Sequence, residues 1–256
     1  MFFPESYYPP ISLDYSDKLA KGFTIASKLN VLITGVVRDA EKEIKLNLSR
    51  IDHLRRFFGK SYVFLYENDS IDNTKEIINK WRKSRYNVVF SSEKIGTRKL
   101  SDKSLERRVN MAAARNKYLE YARNIKDIHK IIILDLDLIG GFSYEGILNS
   151  LSYNDDSGIF GSNGLIYQNN QRMFYDTWAT DPSDNTWLLN RGEDLVKVNS
   201  AFGGCIIYPS EITKLSIEYN SSDCDHVTLN NQLTKCGYNI FLNPSQITLY
   251  SIHYYC

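Results

Sequence analysis

The sequence predicts an α/β fold, a mainly parallel central sheet flanked by helices, with mixed strands in the C-terminal half. Three observations carry this expectation. Four short runs, at residues 31–37, 62–66, 88–90 and 131–134, are apolar throughout, as strands buried on both faces must be. Between them lie longer segments with apolar residues at spacings of three and four, the period of a helix with one buried face. Their alternation points to parallel pairing, because a parallel strand needs a crossover that a helix supplies.

Residues 1–28 show weak periodicity and are expected to form an irregular arm. The run Val31-Leu32-Ile33-Thr34-Gly35-Val36-Val37 is the first strand. In 40–58, Ile44, Leu48, Ile51, Leu54, Phe57 and Phe58 recur at helical spacing, and Gly59 marks the end. The second strand, 62–66, is followed by the polar loop Glu67-Asn68-Asp69-Ser70 and a helix at 72–83 capped by Asp72 or Asn73. The third strand, 88–90, leads through a basic connector to a long helix at 104–124. The fourth strand then closes on Asp135-Leu136-Asp137. After residue 140 the pattern turns mixed, with a helix near 144–151, strands at 158–161 and 201–208, and a Trp- and Asn-rich loop between them. A helix at 226–236, Gly237 and a strand at 239–242 complete it.

Charge and composition narrow the function classes. The chain has 256 residues, 43% hydrophobic, enough for a core without disulfides or structural metals. Its 31 Lys plus Arg balance 30 Asp plus Glu, so no overall field holds a polyanion, and nucleic acid is not an expected partner. Cys205, Cys224, Cys236 and Cys256 form no C-x-x-C pair and no cluster with histidine, which argues against zinc and for reduced thiols. No window approaches the roughly eighteen apolar residues of a spanning helix. Met1-Phe2-Phe3-Pro4-Glu5 lacks the build of a signal peptide, so a soluble, cytoplasmic protein is expected. Neither G-x-x-x-x-G-K-[ST] nor G-x-G-x-x-G occurs.

In open parallel sheets ligands bind beyond the carboxyl ends of the strands, and two acidic clusters fall there. Asp135 and Asp137, two apart on extended backbone, face one side. Like charges so placed need compensation, for which a hard cation such as Mg²⁺ or Mn²⁺ is the candidate. A pair of solvated turn residues is the competing reading. The second cluster, Glu67 to Thr74, follows another apolar strand at the same crevice. One cluster suits a base and ribose, the other a metal and diphosphate, the cation standing in for the missing glycine loop.

These residues resemble nucleotide-sugar-dependent glycosyltransferases of the GT-A type. Their marks are an apolar first strand, an acidic D/E-x-D-S-x-D-x-T loop after the second, and an aspartate-x-aspartate motif after the fourth, here Glu67 to Thr74 and Asp135-Leu136-Asp137. The Glu-Asn-Asp-Ser wording, Arg115-Asn116 and Tyr175-Asp176-Thr177-Trp178 look most like the fungal capsule-associated mannosyltransferase group, over residues 31–245. The resemblance implies one GT-A-like domain over 1–256, with a nucleotide-binding half at 31–140 and an acceptor-binding half at 141–256. It implies transfer of a sugar from a GDP- or UDP-sugar to a hydroxyl of a glycan acceptor, with Mn²⁺ or Mg²⁺ as cofactor. Position by position, Val37, Arg38, Glu67, Asp69, Arg115 and Asp135 would meet the donor, and Asp135, Asp137 and His253 the metal. Asp176, Trp178, Gly203 and Gly204 would meet the acceptor. Asp223-Cys224-Asp225-His226, ahead of a helix ending at Gly237-Tyr238, is similar to the acidic pair of inverting members. Asp225 is then the candidate base beside His226, where the family commonly has Glu-Asp or Glu-His.

Several of these positions carry a competing reading. Asp225 suits a helix N-cap, His253 a packed ring among tyrosines, Trp178 and Trp187 the core, and Arg107 and Arg108 a solvated helix face. The basic connector at 94–98 is either a lid over the diphosphate or a solvated loop. Retention is the alternative to inversion. Two other function classes stay open. A sugar-phosphate nucleotidyltransferase would carry a glycine-rich basic loop after its first strand, where Gly35-Val36-Val37-Arg38-Asp39 is poor in glycine. A non-catalytic carbohydrate-binding module would use the tryptophans alone.

Overall fold

The computed structural model describes residues 2–169, 171–182 and 187–251. Among these residues the helices are α1 (Tyr15–Ala26), α2 (Glu41–Leu54), α3 (Thr74–Arg82), α4 (Leu105–Arg123), α5 (Tyr144–Ser152) and α6 (Asp225–Lys235). The strands of the first half are β1 (Asn30–Val37), β2 (Lys60–Asn68), β3 (Val88–Glu93) and β4 (Lys130–Leu134). Those of the second half are β5 (Gly141–Phe142), β6 (Gly158–Gln168), β7 (Gln171–Phe174), β8 (Val196–Val198), β9 (Cys205–Pro209) and β10 (Asn239–Leu249). One sheet runs through both halves in the order β3-β2-β1-β4-β9-β6-β10-β5, with β7 on β6 and β8 on β10.

The first half is parallel as expected, β1 pairing with β2 and β4, and β2 with β3. Leu32 enters one core while Val31 and Ile33 enter the other, which is why the run shows no polar alternation. Ala112, Ala114, Tyr118 and Leu119 of α4 cover one face, and Ile44, Leu48, Ile51 and Leu54 of α2 the other. The second half is mixed: β9 runs antiparallel to both β4 and β6, whereas β10 is parallel to β6.

The N-terminal segment corrects the expected irregular arm. Residues 15–26 form α1, whose buried face consists of Tyr15, Gly22 and Ala26. The small residues let α1 lie directly on α5, where a Cβ at Gly22 would stand 1.9 Å from the Leu148 carbonyl oxygen. Ahead of it, the Glu5 carboxylate accepts from the Tyr144 N–H at the start of α5 (2.9 Å) and pairs with Arg191, which also pairs with Glu145 at 3.0 Å. Strands β6 and β10 are longer than the sequence pattern indicates: Ser162-Asn163-Gly164 interrupts the apolar run of β6, and Asn243-Pro244-Ser245-Gln246 that of β10. Its register with β6 shifts between Asn243 and Ile247. Gln246 satisfies the disturbed ladder from within, donating to the Phe160 and Cys205 carbonyls and to Ser162 Oγ.

Candidate functional site

At the carboxyl ends of β1 and β4 opens a cavity of about 340 Å³. Val37 and Arg38 reach it from the end of β1, Arg115 from α4, and Asp135 and Asp137 from the turn after β4. Asp176 and Trp178 line it from the segment after β7, and Asp225 and His226 from the start of α6. Residues up to 214 apart in sequence, from Val36 to Tyr250, thus face one space because the parallel strands end there.

In the acidic turn Leu136 and Leu138 are buried while Asp137 is exposed, so the apolar partners anchor the turn and leave both carboxylates on the cleft. The Asp135 N–H donates to the Gly204 carbonyl at 2.9 Å, and the Tyr250 hydroxyl donates to Asp135 Oδ2 at 2.8 Å. Burial first, and Asp137 beside it second, push the Asp135 carboxyl up to about 7; Arg115 and the Tyr250 hydroxyl pull the other way. A carboxylate held there without full compensation is the donor set a hard divalent cation fits. Among the described residues no third His, Cys, Asp or Glu completes a cluster with them, and His253 lies outside the described residues.

Arg115 and Asp225 form a buried ion pair across the cleft wall, with both side chains almost wholly out of solvent. Burial opposes the Arg115 charge, but Asp225 and more weakly Asp135 outweigh it and hold the guanidinium well above its ordinary range. Asp225 is the first residue of α6, behind Cys224 as N-cap, and no side chain caps that helix end, so the capping reading is not what is found. The His226 ring lies stacked on Phe202 at 3.8 Å and edge-on to Tyr219. Burial and the nearby Arg115 hold it well below the usual histidine range, so it is a neutral imidazole. Neither ring nitrogen has a hydrogen-bond partner among the described residues.

Asp176 sits at positive φ (69°) and accepts from the Gly203 N–H at 2.9 Å. Burial, then the charge of Asp135, push its carboxyl up to about 7. Gly203 and Gly204 both have positive φ, and a Cβ on Gly203 would meet the Ser162 carbonyl oxygen at 2.0 Å, so only glycine makes this turn. Thr248 Oγ1 donates to the Gly203 carbonyl. The two glycines therefore position Asp135 and Asp176 through backbone bonds and do not themselves line the cleft. Trp178 lines it with Lys103 and Arg107 over its ring at 5.4 and 5.0 Å, whereas Trp187 packs on Phe174.

The cluster after β2 is divided. Glu67 is fully buried and accepts from the Ser70 N–H (2.6 Å) and Ser92 Oγ (2.5 Å), and Asp69 accepts from the N–H groups of Ile95, Gly96 and Thr97, each at 2.9 Å. Hydrogen bonds from Gly96 and Thr97 hold the Asp69 carboxyl well below the usual range. Neither carboxylate lines the cleft; both are consumed in shaping the loops beside it. Between them Asn68 does reach the cleft, donating to Thr97 Oγ1 at 3.0 Å, and Arg38 grips the Thr97 carbonyl at 2.7 Å. The basic connector is thereby folded over the cavity, with Thr97, Arg98 and Lys99 in its wall. Sequence reasoning missed Asn68, Tyr175 and Tyr250. Asn68 is flanked by two more conspicuous acids, and the tilted ring contact of Tyr175 with Tyr250 (3.9 Å between centroids) joins segments far apart in the chain.

Cys205, Cys224 and Cys236 are free thiols, and no helix among the described residues is long and apolar enough to cross a membrane. No protein-family model matches the sequence, and no curated protein matches it. Solved structures do resemble it. One is the mannosyltransferase PcManGT from Pyrobaculum calidifontis in complex with GDP-Man and Mn²⁺, with TM-score 0.58 and 14% identity over 93% of this chain and 63% of that one. S. aureus TarS 1–349 gives TM-score 0.52 at 13% identity, covering 86% of this chain and 59% of that one. GalNAc-T7 with UDP, GalNAc and Mn²⁺ gives TM-score 0.51 at 13% identity, covering 96% and 54%. This chain spans between about half and two thirds of their lengths. At such identity the likeness establishes the fold, and it is the GT-A fold the sequence predicts.

Proposed function

We propose that the chain is a metal-dependent glycosyltransferase that moves a hexose from a GDP- or UDP-sugar to a hydroxyl of a glycan acceptor. The observation that carries this reading is the convergence of Asp135 and Asp137 on one cleft at the strand ends, opposite the basic residues of α4 and the 94–100 connector. Of the structural neighbours, PcManGT is in complex with GDP-Man and Mn²⁺ and GalNAc-T7 with UDP, GalNAc and Mn²⁺, which supports a nucleotide-sugar donor. The mannosyltransferase-like wording of the sequence tilts the donor towards GDP-mannose.

Asp135 and Asp137 would hold Mn²⁺ or Mg²⁺, and a cation bound there neutralises the departing diphosphate. Arg38, Asn68 and Thr97 line the side on which the nucleotide would lie, and Glu67 and Asp69 support it by fixing the loops. Trp178 and Asp176 offer a ring face and a carboxylate to the acceptor sugar. In the inverting reading Asp225 takes the proton from the acceptor hydroxyl, the oxygen bonds to the anomeric carbon, and the bond from that carbon to the diphosphate oxygen breaks. Arg115, paired with Asp225 in the same wall, is placed to meet the diphosphate.

A second assignment of the base rests on Asp176. Its carboxyl, held near 7, suits proton transfer at neutral pH, whereas Asp225 has its charge matched by Arg115. Release of nucleoside diphosphate from UDP- and GDP-sugars, measured with glycan acceptors and Mn²⁺, tests the reading. Asp137→Ala is expected to abolish metal-dependent release. Asp225→Asn is expected to bind donor but turn over at least about 100-fold more slowly. Full turnover by Asp225→Asn with loss in Asp176→Asn transfers the role to Asp176, and undiminished release by Asp137→Ala removes the metal assignment.

A further inference from the structure

The acidic turn is held from behind. A turn leaving a strand exposes carbonyl groups that no neighbouring strand accepts, and when such groups are buried they must be met by something else. Here two buried side chains of α2, Asn47 and Arg50, one helical turn apart, meet them. Asn47 Nδ2 donates to the Leu136 carbonyl at 2.9 Å and to the Leu138 carbonyl at 3.0 Å. Arg50 Nη1 donates to the Leu138 carbonyl and to Asn47 Oδ1, each at 2.8 Å, and Nη2 to the Ile139 carbonyl at 3.0 Å. Both side chains are 1% exposed. The path of the chain closes over the guanidinium at Gly141, whose positive φ brings the backbone onto Arg50.

The bonded carbonyls, at 136, 138 and 139, alternate with or follow the carboxylates at 135 and 137. Fixing the Leu136 carbonyl fixes the peptide plane that enters Asp137, and fixing the Leu138 and Ile139 carbonyls holds the chain just beyond it, so together they restrict the direction in which the Asp137 Cα–Cβ bond leaves the backbone. We propose that Asn47 and Arg50 are positioning residues that set the reach of Asp137 into the cleft beside Asp135, without touching ligand themselves. The inference rests on the reading of that cleft as a metal-diphosphate site and deepens it. The guanidinium fork is suited to the task because it meets two successive carbonyls in one plane, which an ammonium cannot do.

The test compares Asn47→Asp, which keeps shape but loses the donor, Arg50→Lys, which keeps charge but loses the fork, and Leu48→Ala. Leu48 is buried on the same helix and has no polar atom to offer the turn. Mn²⁺ binding in the presence of UDP or GDP is followed by the electron paramagnetic resonance signal of the free and bound ion, alongside urea unfolding of each variant. Asn47→Asp and Arg50→Lys are expected to bind the Mn²⁺–diphosphate at least about 10-fold more weakly than wild type. Leu48→Ala, although destabilised, is expected to bind as wild type does while folded. Wild-type binding by Asn47→Asp or Arg50→Lys overturns the proposal, as does an equal loss in Leu48→Ala. Should Asn47→Asp not fold, Arg50→Lys alone decides. A wild-type chain that binds no Mn²⁺ with either diphosphate overturns the underlying reading of the cleft, a result distinct from variants that match a binding wild type.

Discussion

Asp176 is the residue whose chemistry is most exposed to a direct test. Its carboxyl titrates near 7 in the folded chain against a reference of 3.8, so the folded state holds a proton that the unfolded state has released. Below pH 4 both states are protonated and the group costs nothing. The cost grows as pH rises to 7 and stays constant above it, at about 1.4 kcal/mol for each tenfold displacement of the proton equilibrium. Asp176→Asn keeps an oxygen for the Gly203 N–H and removes the charge. In EDTA it is therefore expected to be more stable than wild type at pH 8, by a few kcal/mol at most, and equal to it near pH 4. Urea unfolding at the two pH values checks this; a difference that does not change with pH contradicts the assignment. The sequence places Asp135 and Asp137 at a strand end, and the resemblance adds Asp176 and Asp225; all four line one cleft. The sequence did not reveal that Glu67 and Asp69 turn inward. A carboxylate that serves a ligand and one that gathers backbone N–H groups look alike in a string of letters, and only the fold of 92–97 around them separates the two.

At the scale of elements, apolar runs and helical spacing located β1, β2, β4 and α2 to α6, because each buries a face that the sequence records; β3 was located by its apolar run although none of its residues is fully buried, so the expectation of burial on both faces does not hold for it. Helix α1 escaped that reasoning. It buries Tyr15, Gly22 and Ala26, with Leu19 half-buried beside them, and derives its fit from closeness to α5, so few large apolar residues mark it in the sequence. Its docking also depends on Glu5, which supplies a charge partner to buried Arg191 and an acceptor to the first N–H of α5. Glu5→Ala removes both and is expected to cost roughly 2–3 kcal/mol in urea unfolding, with the loss shared by the whole chain. An unchanged midpoint would mean that the segment ahead of α1 is an ornament. Strand β10 was seen only in its first four residues, since the bulge at Asn243–Gln246 replaces apolar side chains by buried amides that bond internally.

Across the whole molecule, one continuous sheet brings the two halves together at β4 and β9, and the cleft lies where the parallel strands stop. The acidic turn draws on every layer: α2 braces its carbonyls, the Gly203-Gly204 turn holds its N-terminal N–H, and Tyr250 after β10 caps one of its carboxylates. Such an investment fits a place where two like charges must be kept side by side for a cation and a diphosphate. Thermal unfolding of the wild type and Asp137→Asn, with UDP and GDP, each with Mn²⁺ or with EDTA, measures that claim directly. Wild type is predicted to gain stability from diphosphate only when Mn²⁺ is present, by about 2.7 kcal/mol at a ligand concentration one hundred times Kd, with no such gain in Asp137→Asn. A gain independent of metal, or equal in the two proteins, would contradict the account.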